Sequence, residues 1–284
     1  MTPALSVQNL CKSFGEFSLR DITFDVPCGA VTAIIGENGS GKSTTLACIL
    51  GQDIPDSGTV EIFGADPFRD IQSHAALGVS CDTSQFPGVF TPNQLESVFQ
   101  DIYPDWDTAS WNRLLSICQI PRNRRIDKFS RGMKAKLSLA ASLSHRARLL
   151  ILDEATAGLD PVVREEMLDL LLEFMQEEDH SILMTSHICS DLEKIADYIV
   201  FIRNGQIVFR EEKDTLLEQY GLASVSREQL SFVDDSLILR RRMLPMSTDL
   251  LVRDRRAFAI RYPDYVLKQP TLDEIVLMFT KGDE

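Results

Sequence analysis

The most specific chemistry in the chain lies in Gly36-Glu37-Asn38-Gly39-Ser40-Gly41-Lys42-Ser43-Thr44, which fits the G-x-x-x-x-G-K-[ST] spacing of a phosphate-binding loop. Glycines let the backbone curl around a phosphate without a Cβ in the way. Successive N–H groups then point inward, and a helix N-terminus adds the positive end of its dipole. In such a loop Lys42 reaches the β- and γ-phosphates, and the Ser43 hydroxyl ligates the magnesium ion that bridges them. A nucleoside triphosphate with Mg2+ is therefore expected on Gly36, Asn38, Gly39, Ser40, Gly41, Lys42, Ser43 and Thr44.

A second group extends this chemistry. Arg148-Leu149-Leu150-Ile151-Leu152-Asp153-Glu154 runs through four large apolar residues into two carboxylates, as a buried parallel strand does at its carboxyl edge, where doubly wound sheets bind ligands. Asp153, expected on a strand next to the P-loop strand, would hold magnesium directly or through water. Glu154 would accept a proton from water attacking the γ-phosphate. Ser186-His187 ends another apolar run (181–185), parallel to the first, so the His187 ring can reach the γ-phosphate edge. Ser130 is placed to cap a helix on which Met133, Leu137, Ala140 and Ala141 share a face, offering a helix N-terminus to an anion.

The elements that must position these groups follow from periodicity. Residues 31–35 read as a buried strand leading into the loop, and residues 45–50 as the start of the helix leaving it. Residues 7–10, 17–19 and 22–26 alternate as half-buried strands of a small antiparallel sheet flanking the site, with Phe14 in a turn between them. Residues 57–64 give a further short strand. Helical stripes (Leu95, Val98, Phe99, Ile102, then Leu114, Leu115, Ile117 and Cys118) are broken at Pro104-Asp105 and form a helical insertion. Asp160-Pro161 starts another helix, and residues 198–209 read as a hairpin around Asn204-Gly205. From about residue 216 short apolar bursts (237–239, 250–252, 258–260) alternate with Arg240-Arg241-Arg242 and Arg253-Asp254-Arg255-Arg256, ending in a helix over 271–279. This reads as a small appended α+β element of strands and one helix. Its arginines suit a solvated strand surface better than a docking face.

Taken together, these residues resemble the ATPases of the ATP-binding cassette (ABC) transporter family. Phe129-Ser130-Arg131-Gly132-Met133 is similar to that family's signature motif, usually Leu-Ser-Gly-Gly-Gln. Ala157-Gly158-Leu159-Asp160 resembles its D-loop, and His187 stands where its switch histidine stands. The resemblance covers about residues 4–212. It implies an α/β fold: a P-loop NTPase ABC ATPase core with a flanking antiparallel β-subdomain, a helical subdomain (about 90–145) and a small C-terminal α+β appendage. The expected domains are 1–215 and 216–284. The resemblance further implies that Phe14 stacks on adenine, that Ser130, Gly132 and Asp160 join the nucleotide site, and that ATP binds between two subunits, each closing its signature over the partner's γ-phosphate. Arg131 and Met133 depart from the usual signature as in the bacitracin-type and lantibiotic exporter branch, which points towards export. The family's Q-loop glutamine falls by offset on Asp82, expected at the metal or its water, with Gln85 as the alternative.

Composition limits the alternatives. The 284 residues carry a formal net charge of −13, which argues against nucleic acid as an unassisted partner. No apolar run is long enough to span a bilayer and residues 1–4 have no signal character, so a cytoplasmic protein is expected, peripheral at the inner membrane face through a permease. That permease would be a separate chain docking on the helical insertion. The six cysteines form no C-x-x-C pair, so neither zinc nor a disulfide framework is indicated. The leading expectation is an ATP-hydrolysing subunit, pairing with a second ATPase subunit as a homodimer and powering transport. The alternatives are a non-transport cassette acting on ribosomes or DNA, disfavoured by the single P-loop and the acidic charge, and a regulatory ATP binder, disfavoured by Glu154 and His187.

Overall fold

The computed structural model describes residues 2–81 and 86–283. Its centre is a six-stranded sheet of β3 (Val31–Ile35), β5 (Leu77–Cys81), β6 (Leu149–Asp153), β7 (Ser181–Thr185), β8 (Tyr198–Arg203) and β9 (Gln206–Glu212), in the order β5-β6-β7-β3-β8-β9. All pairings are parallel except β8–β9. The inner strands β6, β7, β3 and β8 are mainly apolar because both faces are covered, whereas the edge strand β9 alternates exposed and half-buried residues. Ala33, Leu150, Leu152, Ile182, Met184 and Phe201 enter one core, whereas Ile34, Leu149, Ile151, Leu183, Val200 and Ile202 enter the other. The Asp153 strand is not next to the P-loop strand, as the sequence suggested. Strand β7 lies between them, because β3 pairs with β7 and β8.

One core is closed by a three-stranded antiparallel sheet, β2-β1-β4, made of β1 (Leu5–Phe14), β2 (Phe17–Val26) and β4 (Ser57–Ile62). This is the flanking sheet expected from alternation. The β8–β9 hairpin turns at Asn204 and Gly205, both at positive φ (51° and 73°), the conformation a two-residue type I′ turn demands. Helix α1 (Lys42–Ile49) starts three residues earlier than the apolar pattern indicated, inside the loop motif itself.

The opposite face carries α2 (Pro92–Ile102), α3 (Thr108–Ile117) and α4 (Arg131–Ser142). Helix α2 starts in a Thr91/Gln94 capping box with Pro92 in its first turn, and Asp107 caps α3. Buried Trp111 of α3 meets Phe99 of α2 edge-on and Trp106 at a tilt, while Phe99 stacks on Trp106, holding the two helices together. Helices α5 (Pro161–Phe174) and α6 (Cys189–Ile195) complete this layer.

The C-terminal element contains more helix than expected. Helix α7 (Lys213–Gln219) leads to a four-stranded antiparallel sheet, β11-β12-β10-β13, of β10 (Gly221–Val225), β11 (Ile238–Met243), β12 (Thr248–Val252) and β13 (Leu267–Lys268), with α8 (Arg227–Leu230), α9 (Arg255–Arg261) and α10 (Leu272–Lys281). The burst 258–260 is not strand. The Asp254 side chain accepts from the Ala257 N–H and starts α9, which buries Phe258. Leu222, Leu251, Leu272, Ile275 and Phe279 join the larger core of the body. The arginine run is partly engaged: Arg240 lies over the Phe279 ring at 4.9 Å and Arg241 pairs with Asp235 at 3.0 Å. None of the six cysteines is in a disulfide, and Cys48, Cys118 and Cys189 are buried. Burial, reinforced by Asp53, pushes the Cys48 thiol up to about 11, so it stays protonated.

Candidate active site

The P-loop leaves the end of β3 and turns into α1 at Gly41, whose φ of 114° suits only glycine and whose Cα faces Leu19 and Phe17 with no room for a Cβ. No side chain caps α1, so its first N–H groups are left for an anion. Lys42 is 6 % exposed, and its ammonium donates to the carbonyls of Gly36 (2.9 Å) and Glu37 (3.3 Å), with Glu154 Oε1 at 3.7 Å. These partners hold the charge where phosphate oxygens would replace them.

The carboxyl edge of the sheet supplies the rest. Ser43 Oγ donates to Asp153 Oδ1 at 3.3 Å, so two hard oxygen donors stand together. Among the described residues no cluster of three or more His, Cys, Asp or Glu side chains could hold a metal. The Ser43–Asp153 pair is of the kind that suits Mg2+, which takes one or two protein oxygens and fills its other positions with water and phosphate. Thr185 sits between the acids: its hydroxyl donates to Asp153 Oδ1 at 2.6 Å and accepts the Glu154 N–H at 3.0 Å. Glu154 itself lies at φ 51°, a left-handed conformation costing a side-chain-bearing residue about 1–3 kcal/mol. In that conformation its Oε2 stands 2.6 Å from His187 Nδ1.

Phe17, Asn38, Gly39, Gly41, Lys42, Ser43, Thr44, Glu154, Ala157 and His187 thus line one cavity of about 630 Å3, within the range of small-ligand sites. Gly36 and Ser40 are buried beneath the loop. Phe14, expected on adenine, lies at the tip of the β1–β2 hairpin with Lys12 over its ring at 5.1 Å, and Phe17 rather than Phe14 lines the cavity. Ser130, Gly132 and Asp160 do not line it either. Ser130 is exposed and caps α4 by accepting the Met133 N–H at 3.2 Å, and Asp160 caps α5 through the Val162 and Val163 N–H groups. The Arg131 guanidinium lies directly over Gly158, joining the signature segment to the turn after Glu154. Asp82 and Gln85 both lie outside the described residues.

Sequence reasoning missed Thr185 and Phe17. Thr185 carried a signal, a hydroxyl at the last position of an apolar strand directly before Ser186-His187. Phe17 carried none beyond strand alternation.

A family model described as ABC transporter matches residues 19–157. The ABC transporter ATP-binding protein YtrB of Bacillus subtilis (strain 168) is 30% identical over 244 residues, covering 85% of this chain and 82% of that protein. The lantibiotic transport ATP-binding protein SrtF of Streptococcus pyogenes is 32% identical over 212 residues, covering 74% and 91%. The bacitracin transport ATP-binding protein BcrA of Enterococcus faecalis is 29% identical over 212 residues, covering 73% and 69%. Among solved structures, an ATP-binding subunit of an ABC transporter superposes with a TM-score of 0.69 at 25% identity, covering 80% of this chain and 93% of that one.

Proposed function

The chain belongs to the family of ABC transporter ATP-binding proteins, and from that premise we propose that it hydrolyses ATP with Mg2+ and couples the reaction to a membrane permease on a separate chain. The observation that carries the hydrolytic reading is the contact of Glu154 with both His187 (2.6 Å) and Lys42 (3.7 Å) at the mouth of the P-loop cavity. The N–H groups of the loop and α1 take up the phosphates, and Lys42 exchanges its carbonyl partners for β- and γ-oxygens. Ser43 and Asp153 are the residues that would hold Mg2+, with Asp82 the candidate third contact. When bound, the ion neutralises charge on the phosphates. Glu154 takes a proton from the attacking water as its oxygen bonds to the γ-phosphorus and the bond to ADP breaks. His187 holds the Glu154 carboxylate in place.

In this reading Ser130, Gly132 and Asp160 act on the nucleotide of a second, identical subunit, so that ATP closes the dimer and its hydrolysis releases it. Phe14 stacks on adenine, with Phe17 beside it. The ATPase unit spans residues 1–215 and the appendage 216–284. A cleft of about 370 Å3 lined by Phe86, Phe99, Tyr103 and His145, between β5 and the helical segment, supports docking of the permease there. Among the described residues no helix is long and apolar enough to cross a membrane, which supports a subunit peripheral at the inner face. The relatives named for bacitracin and lantibiotic transport, with Arg131 and Met133 in the signature, support export. The charge of −13 speaks against a nucleic-acid partner. The test is steady-state ATP hydrolysis by Glu154→Gln: turnover falls by on the order of 10² to 10⁴ while ATP binding persists. Unchanged turnover would remove Glu154 from the chemistry.

A further inference from the structure

One buried carboxylate outside the cavity is tied to the Glu154–His187 pair by contacts that play no part in the hydrolytic steps above. Asp191, in the first turn of α6, is only 3 % exposed. Its Oδ2 accepts a hydrogen bond from Thr156 Oγ1 at 3.0 Å, and its Oδ1 lies 3.6 Å from Arg164 Nη1 of α5. Thr156 is buried too, in a turn that the Ala157 N–H closes onto the Glu154 carbonyl at 3.0 Å. The segments 154–156 and 187–191 are therefore bridged twice, by Glu154–His187 at the cavity and by Thr156–Asp191 in the interior.

The two bridges differ in what they can enforce. The His187 side chain is 56 % exposed, so water competes for its partner. The inner bridge is shielded, where a hydrogen bond to a carboxylate is strong and an unpartnered carboxylate is costly. An apolar residue at 191 would fill the space without selecting one register between the two segments. The far end of α6 is held separately, Glu193 Oε1 accepting the Leu272 N–H at 2.6 Å and the Glu193 carbonyl accepting from Lys213 Nζ at 3.0 Å.

We propose that Asp191 is a positioning residue for hydrolysis: through Thr156 it fixes the register between the Glu154 turn and the His187 segment, so that carboxylate and imidazole meet. This rests on reading Glu154 and His187 as the hydrolytic pair. The test uses the full chain carrying Asp191→Ala, Thr156→Val or Thr156→Ser. Asp191→Ala and Thr156→Val each lower kcat by about ten- to a hundredfold, the range that small misplacements of reacting groups produce, with KM for ATP within about twofold of wild type. Thr156→Ser, which keeps the hydroxyl, restores wild-type kcat. The double variant Asp191→Ala/Thr156→Val is no slower than the slower single one, because both remove the same bridge.

A second readout needs no turnover. The chain has only 4 histidines, so side-chain NMR can follow His187 without nucleotide. In Asp191→Ala and Thr156→Val its ring signals move towards their position in Glu154→Gln. Wild-type kcat with unmoved His187 signals, and a lowered melting temperature alone, would make Asp191 a purely structural residue and overturn the proposal. Full turnover in Glu154→Gln would instead refute the hydrolytic pair, and the His187 signals would still decide the register. If Asp191→Ala does not fold, comparing Thr156→Val with Thr156→Ser decides between the same two outcomes.

Discussion

The P-loop cavity and the N-terminus of α4 both present a helix start suited to an anion, yet the chain treats them differently. In the cavity each charged group already has an intramolecular partner: Lys42 has two loop carbonyls and Glu154, Asp153 has Ser43 and Thr185, and Glu154 has His187. At α4 the exposed Ser130 uses its hydroxyl on the Met133 N–H. The first region is organised before ligand arrives, so binding exchanges partners rather than ordering side chains, which lowers its entropic cost. The second is stable as a helix start and contributes nothing to the cavity of its own chain. The difference matches the proposed division, in which one surface captures substrate and carries the chemistry and the other meets a second subunit.

Substitutions on the two sides should separate accordingly. Lys42→Ala removes the charged donor and is expected to weaken ATP binding to the isolated chain by about 10- to 100-fold, the worth of hydrogen bonds to charged groups, as read by calorimetry. Native affinity would show that the loop N–H groups suffice. Thr185→Val keeps the shape of β7 but leaves Asp153 and the Glu154 turn without their shared hydroxyl. A fall in kcat of about tenfold is expected in steady-state assays, with a smaller change in ATP affinity. If kcat holds, Thr185 is a packing residue. Ser130→Ala should cost about 1 kcal/mol in denaturant unfolding through the lost cap, with ATP affinity of the monomer unchanged within about twofold. A large loss of monomer affinity would mean that α4 serves its own cavity.

The sequence exposed the cavity side more fully because its candidate residues lie in a contiguous motif and at strand ends, where residue type and position coincide. Lys42 reaches Glu154, Ser43 reaches Asp153 and Glu154 reaches His187, each at the loop or strand end where the sequence put it. Thr185 escaped because a threonine closing an apolar strand is equally a β-branched strand former. The placing of β6 beside β3 failed because strand order is not encoded in local pattern. Two apolar runs with acids or hydroxyls at their ends look alike, and only packing puts β7 between the others. The burst at 258–260 read as strand because a seven-residue helix offers too few turns to show its period. Its start is written in Asp254, which a count of apolar residues overlooks. The ties of the C-terminal element to the body's core depend on the face of α10 that carries Phe279 against Phe201 and Phe209, a tertiary fact without a sequence signature.

The composite site is tested most directly by size-exclusion chromatography with light scattering on Glu154→Gln, which should bind ATP without consuming it. With ATP and Mg2+ this protein should elute as a dimer, and Glu154→Gln/Ser130→Phe, with a ring on the exposed end of α4, should remain monomeric while still binding ATP. A dimer of normal stability in the doubly substituted protein would contradict the claim that Ser130 completes the partner's site.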